Sequence, residues 1–171
     1  MLFLVKYADY MQSVLTILTS DTQPPLVKTF SGSGLEEQPF AAGKDFNVSE
    51  EPISDLQSLS KVLQRLGSNS TQTIIRGSLT EGKTNPVSRN KDTFTATPRQ
   101  WCMIDIDSLA WDGDVNDQQA MLSYATKQLP SEFQSVDYWY HFSSSMGIKA
   151  GIRVHLWFWL ERPCSDDEMK A

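Results

Sequence analysis

The chain has 171 residues, 40% of them hydrophobic, with a net charge of −6 and a sequence pI of about 4.8. This composition excludes a disordered or fibrous protein, and the length suits one domain with a real hydrophobic core. The acidic balance argues against a general nucleic-acid coat, because such proteins are usually basic. The first 18 positions are largely apolar, but polar residues interrupt them, so we predict neither a signal peptide nor a membrane span there. We therefore expect a cytoplasmic protein.

The first third of the chain predicts a strand, a loop and a helix. Residues 13–19 are rich in β-branched side chains and predict a strand. Residues 21–53 are rich in Pro, Gly, Ser and Glu and predict a long loop with at most short strands. Ser54 and Gln57 predict a capping box at the start of a helix that stops at Gly67. The apolar face of this helix carries four leucines: Leu56, Leu59, Leu63 and Leu66.

The remainder predicts four strands and a second helix. The helix is capped by Asp114 or Asn116 and ends before Pro130. The strands are predicted at residues 73–79, 101–107, 136–142 and 152–160, with a turn-rich connection at 80–90 and a Ser/Gly-rich loop at 143–151. This order predicts an α+β fold, with helices flanking a mixed or antiparallel sheet, and a single domain over residues 1–171.

Two aspartates lie inside an apolar run, Asp105 and Asp107. Residues two apart in a strand project from the same face, and two buried carboxylates need neutralising partners such as cations. Hard divalent ions prefer carboxylate oxygens, and two ions about 3.5–4 Å apart serve phosphoryl transfer. The pair is therefore a candidate site for Mg²⁺ or Mn²⁺. The alternative is that one aspartate caps a turn and the other forms a surface ion pair.

Several side chains are candidates for binding phosphate. Arg153 and His155 share one face of another apolar strand and can donate hydrogen bonds to phosphate oxygens, although His155 could also be a satisfied core histidine. The hydroxyls of Ser143 and Ser145 could contact phosphate or belong to a flexible turn. Arg76, in an apolar strand, needs either a structural carboxylate or a ligand phosphate.

Other residues of these strands are predicted to be structural. Trp157 and Trp159 could pack a base or sugar, or build the core, and the core is the better interpretation for Trp159. His141 is predicted to be structural, and the wide separation of the two histidines argues against a zinc site. Cys102 is predicted to be a buried free thiol.

The apolar string that ends in Asp105-Ile106-Asp107 resembles motif I of the archaeo-eukaryotic primase superfamily. Arg153-Val154-His155 and the apolar strand after it resemble the second motif, small-x-His. The similarity to primase-polymerase domains of phage and mobile-element replication proteins covers roughly residues 76–163.

This resemblance implies an RRM-like core and a DNA primase or polymerase that joins NTP or dNTP on a DNA template by a two-metal mechanism. Asp105 and Asp107 would hold Mg²⁺ or Mn²⁺, and His155 would contact the incoming phosphates, with Arg76 and Arg153 as weaker candidates for phosphate or template contacts. It further implies a fused or separate helicase, no membrane partner, and the cytoplasm of a bacterial or phage-infected cell.

The chain departs from this family pattern in two ways. The third motif, an apolar residue followed by an aspartate in a later strand, is absent, because Asp166 and Asp167 lie in a polar tail. Arg153 also occupies a position where the motif has a small residue. We therefore expect an incomplete domain, either the N-terminal part of a longer replication protein or a degenerate copy. The alternatives are a non-catalytic nucleic-acid-binding or initiator module and another two-metal enzyme such as a nuclease.

Overall fold

Antiparallel strands dominate the computed structural model, which describes residues 13–20, 26, 28–31, 36–38 and 45–170. The strands are β1 (Ser13–Ser20), β2 (Thr29–Ser31), β3 (Glu36–Gln38), β4 (Phe46–Ile53), β5 (Gln72–Ile75), β6 (Ser78–Leu79), β7 (Phe94–Thr95), β8 (Arg99–Leu109), β9 (Tyr138–Phe142) and β10 (Ile152–Cys164). The helices are α1 (Leu56–Gly67), α2 (Gln118–Lys127) and α3 (Ser131–Gln134). The predicted α+β class with antiparallel sheets is confirmed. The apolar N-terminal stretch and much of the predicted loop lie outside the described residues.

Two three-stranded sheets organise the fold. The first has the order β4-β1-β5 and the second has the order β8-β10-β9, and every strand pair in them is antiparallel. The strands predicted at residues 136–142 and 152–160 are confirmed as β9 and β10, and β10 runs four residues beyond its predicted end. Within the ranges just given, no helix is long and apolar enough to cross a membrane.

The second sheet buries both of its faces at one end. One face packs on α2 through side chains such as Cys102, Val154, Leu156 and Phe158. The other face carries Trp101 and Trp157, which pack with the leucines of α1 and with β1. Because side chains alternate along a strand, His155 lies on the same face as Trp157. That face continues away from α1 as the polar end of the sheet.

The predicted long loop at residues 21–53 is wrong at its end, because it contains the eight-residue strand β4. β4 pairs with β1 along its whole length, from Ser13 opposite Ile53 to Ser20 opposite Phe46. The strand lies at a sheet edge and carries Glu50, Glu51 and Pro52, which an edge position tolerates. Its local composition therefore resembles that of a loop, and the segment forms a strand because it pairs with β1.

The helix caps also differ slightly from the prediction. Asp55 rather than Ser54 caps α1, with its carboxylate accepting from Ser58 N at 2.6 Å, while Ser58 Oγ accepts from Asp55 N at 3.1 Å. Hydrogen bonding of the carboxylate to the backbone N–H and the hydroxyl of Ser58 lowers the pKa of Asp55 below its usual value. Asp117, rather than Asp114 or Asn116, caps α2 by accepting from Ala120 N at 2.9 Å. A carboxylate is favoured at these sites because it meets the unpaired N–H groups of the first turn.

The predicted strand at residues 73–79 is interrupted at Arg76 and Gly77, which separate β5 from β6. Arg99, at the start of β8, occupies this break and donates to Arg76 O at 2.7 Å and Gly77 O at 3.3 Å. It also donates to Thr16 Oγ1 at 2.9 Å and so connects the second sheet to β1. The carbonyls of Arg76 and Gly77, which would otherwise continue the hydrogen-bond ladder of a sheet, therefore accept hydrogen bonds from this guanidinium.

Candidate functional site

The structure brings the predicted acidic pair and the predicted basic pair together on neighbouring strands. Asp105 is directly opposite His155 in the β8–β10 register, and His155 Nε2 lies 3.3 Å from Asp105 Oδ1. Arg153 Nη1 donates to Asp107 Oδ1 in the adjacent ion pair. Each carboxylate therefore has one basic partner from β10. We call these four side chains the acid–base face.

A β-bulge lies at the outer end of this face. Asp107 and Ser108 of β8 are together opposite the single residue Arg153, because the register shifts between Ile152 and Val154. Ser108 has a φ of 64°, in the left-handed region that non-glycine residues rarely adopt. Gly151 has a φ of 82°, and a Cβ there would lie 2.7 Å from Leu109 O. Bulges of this kind redirect a side chain, here Asp107.

The carboxylates are more exposed than the sequence predicts. The side chain of Asp105 is 58% exposed and that of Asp107 is 66% exposed, whereas Arg153 is 13% exposed. The expectation of two buried carboxylates is therefore wrong, because β8 lies at a sheet edge and these positions reach solvent. Water solvates them, so folding alone does not require a metal ion at this face.

His141 is a site residue that the sequence interpretation missed. In the β9–β10 register it is directly opposite His155, and His155 Nδ1 lies 2.8 Å from His141 Nε2. Their rings meet edge to face, with centroids 4.5 Å apart. The two histidines are far apart in sequence, yet they lie on strands predicted to be joined by one loop. Two strands joined by one loop can be expected to pair antiparallel, and that expectation could have revealed the contact.

The environment of His141 keeps its ring neutral. Burial, as the largest cause, and the nearby charge of His155 together lower the pKa of His141 to about 4, and Asp105 opposes the shift. His141 Nδ1 is buried and makes no hydrogen bond within the described residues. A buried ring without a second partner favours its uncharged form.

The pH dependence of stability should report this half-buried histidine. The pKa of His141 is about 6.5 in an unfolded chain and about 4 when folded, so the unfolded state binds more protons between these values. The contribution is complete above pH 6.5 and is lost as the pH falls towards 4. Allowing for its partial exposure, we expect a loss of about 1–2 kcal/mol. The free energy of unfolding, measured by urea denaturation at several pH values across this range, should depend less steeply on pH in His141→Phe than in the wild type. An identical pH dependence in the two proteins would contradict the assignment.

The other predicted phosphate-binding residues take different positions. Arg76 has a structural carboxylate, one of its two predicted alternatives: its Nε donates to Asp166 Oδ1 at 2.8 Å. Its other nitrogens donate to Trp101 O and Cys164 O, and its guanidinium lies over the Trp101 ring. Arg76 therefore fastens the tail after β10 and does not join the acid–base face.

The serines lie at the β9–β10 connection. Ser143 N donates to Arg153 O at 3.0 Å, which places the loop beside the start of the acid–base face. Ser143 Oγ and Ser145 Oγ lie 2.9 Å apart and share a hydrogen bond. The loop is thus anchored to β10 through its backbone, and its two hydroxyls are bonded to each other.

A cavity of about 680 Å³ adjoins His155. Its walls come from α1, β5 and the second sheet, and include Trp139, His141 and Trp157. Trp157 is only 4% exposed and packs against Trp101 with ring centroids 5.6 Å apart. Trp157 therefore builds the core, while Trp159 packs against the same cluster and is half-buried. Cys102 is buried and free, as predicted, and burial raises the pKa of its thiol to about 11.

Metal binding must be judged from the donor set. Across residues 13–20 and 45–170 and the short described ranges between them, no three His, Cys, Asp or Glu side chains are grouped to hold an ion. Asp105 and Asp107 offer hard oxygen donors, but both are paired with bases. Mg²⁺ commonly completes its shell with water and substrate phosphates. The two carboxylates therefore suit an ion that brings further oxygen ligands with it.

No protein-family model, curated protein or solved structure matches the chain. The assignment of a function therefore depends on the acid–base face and on the two sequence motifs that form it.

Proposed function

We propose that the acid–base face binds a divalent cation together with the polyphosphate of a nucleotide, as in template-directed nucleotidyl transfer by a DNA primase-polymerase. The observation that carries this proposal is the pairing of Asp105 and Asp107 on β8 with His155 and Arg153 on β10. The proposal includes an RRM-like core built on the β8-β10-β9 sheet, a DNA template, and NTP or dNTP as substrate. A helicase, fused or separate, is the expected partner in replication.

The charges of the face support a matched exchange of partners. A Mg²⁺ or Mn²⁺ ion would replace His155 and Arg153 as the partner of the carboxylates. The polyphosphate oxygens would then accept hydrogen bonds from the released His155 and Arg153, with Arg153 able to donate two at once. When the cation and the polyphosphate bind together, no charged group is left without a partner. Binding of either ligand alone would leave an unpaired charge at the face. The cation and the polyphosphate should therefore bind cooperatively.

Within such a complex, the roles of the residues follow from their chemistry. Asp105 and Asp107 would hold the cation, which when bound neutralises charge on the phosphates and orients them for in-line displacement. His155 and Arg153 would hold phosphate oxygens as charge develops on them. Ser143 would position Arg153 through its backbone hydrogen bond.

A non-catalytic nucleic-acid-binding module is the second candidate. It is favoured by the observation that the described residues supply two carboxylates at the face and no third metal-ligating group. Such a module would bind single-stranded DNA without metal, and its affinity would fall steeply with salt.

Calorimetry and a primer-extension assay separate these candidates. Wild-type protein is titrated with MnCl₂, with tripolyphosphate, and with their mixture, and is then given a primed DNA template with labelled nucleotides. Tighter binding of the mixture than of either ligand, together with Mn²⁺-dependent extension, supports the proposal. Metal-independent DNA binding without extension supports the second candidate. Degradation of single-stranded DNA in place of extension would assign a nuclease.

Arg153→Ser should change the two affinities in opposite directions. Removing the guanidinium frees Asp107, so the affinity for Mn²⁺ alone should rise about three- to tenfold, in keeping with the strength of a partly exposed ion pair. The affinity for tripolyphosphate should fall, because a bidentate donor is lost. Arg89→Ser, at an exposed position away from the face, is the matched control. An unchanged affinity for Mn²⁺ would show that Arg153 does not compete with the ion.

A further inference from the structure

We propose that His141 is a positioning residue, which fixes the tautomer and the ring orientation of His155 so that His155 presents its Nε2–H to the acid–base face. Three side chains lie in a row across the three strands of the second sheet, with His155 on the central strand opposite both Asp105 and His141. Both nitrogens of the His155 ring therefore have a partner, at 3.3 Å on the Asp105 side and 2.8 Å on the His141 side. The value of this arrangement for nucleotide binding rests on the proposed function.

The positions of the protons follow from the partners. An ionised carboxylate only accepts hydrogen bonds, so the proton of a neutral His155 belongs on Nε2, facing Asp105. Nδ1 of His155 is then an acceptor and requires the N–H of His141 Nε2. His141 meets this requirement with its single proton, because burial lowers its pKa to about 4 and keeps the ring neutral.

Packing holds His141 in the orientation that this hydrogen bond requires. Its ring contacts Trp139, with centroids 5.4 Å apart, and stacks with Trp157 at 6.4 Å and an interplanar angle of 27°. The edge-to-face contact with His155 then restrains the His155 ring as well. Ligating and catalytic histidines are commonly oriented by a partner on the second ring nitrogen. A ring held in this way can give its Nε2–H to a phosphate oxygen once a cation occupies Asp105.

The inference is tested without any assay of activity. The full chain is labelled with ¹⁵N at histidine, and long-range proton–nitrogen spectra at pH 7.5 report the tautomer of His155. The wild type should show protonation at Nε2 and a nitrogen–nitrogen coupling across the hydrogen bond to His141. His141→Phe keeps an aromatic ring of similar size without the N–H, and it should give a mixture of tautomers. His141→Gln retains an amide that can donate to Nδ1, and it should restore the single tautomer.

The same variants connect the inference to binding. His141→Phe should weaken binding of Mg²⁺–tripolyphosphate about threefold or more, and His141→Gln should recover most of the loss. A single unchanged tautomer in His141→Phe, or no coupling between the two rings in the wild type, would overturn the inference. The coupling needs no substitution, so this test remains decisive if a variant fails to fold. Failure of the wild type to bind Mg²⁺–tripolyphosphate would reject the proposed function and leave the tautomer result standing.

Discussion

Replacing Arg99 with methionine is expected to lower the free energy of unfolding by about 3 kcal/mol or more. The Arg99 side chain is only 4% exposed, and Glu50 lies 3.7 Å from its guanidinium. Burial lowers the pKa of Arg99, and the charge of Glu50 opposes that shift. The guanidinium donates to four oxygens from two segments of chain: Thr16 Oγ1 of β1, and Arg76 O, Gly77 O and Ser78 Oγ at the break between β5 and β6.

Methionine fills similar space and cannot donate a hydrogen bond, so these oxygens would stay buried without their partner. Urea denaturation monitored by tryptophan fluorescence measures the loss. Arg89→Met is the control, because Arg89 is exposed and its replacement should change stability by no more than about 0.5 kcal/mol. Equal stability of the two variants would mean that the Arg99 network does not hold the sheets together.

Removing the charges of the acidic pair should have the largest effect on ligand binding. Asp105→Asn and Asp107→Asn keep the shape of each side chain but remove the negative charge that a hard cation requires. Each should weaken binding of Mn²⁺–tripolyphosphate by at least about tenfold, and the double variant by about 100-fold or more, since loss even of residues that only support a metal site typically lowers affinity 10–100-fold. Nucleotide incorporation should fall in parallel.

Stability offers the internal control for these variants. Both carboxylates are more than half exposed, so each replacement should change the free energy of unfolding by less than about 1 kcal/mol. Asp92→Asn, in the exposed connection between β6 and β7, is the matched control for charge. Unchanged affinity in both Asp105→Asn and Asp107→Asn would reject the acid–base face as a cation site.

The sequence predicts features that depend on local periodicity. The leucine spacing of α1 places Leu59, Leu63 and Leu66 in the core, where the structure has them. The spacing of two residues within β8 and within β10 correctly groups each polar pair on one face. These predictions succeed because helix and strand geometry acts over a few neighbouring residues.

Features that depend on register between distant segments were missed. β4 is a strand because β1 pairs with it, and its own composition is that of a loop. The contact between His141 and His155 requires the β9–β10 register, and the exposure of Asp105 requires that β8 lie at an edge. The pairing of Arg153 with Asp107 further depends on the bulge. Each is set by packing across the molecule, which no short stretch of sequence encodes.

The bulge at Asp107 and Ser108 also decides where the next apolar residue of β8 is placed. In an uninterrupted strand, all odd-numbered residues would share one side, and Leu109 would extend beyond Asp107 on the polar side. The additional residue inverts this alternation, so Leu109 is opposite Ile152 and packs in the cluster beneath α2. One inserted position thus ends the polar strip at Asp107 and closes the opposite layer with a leucine.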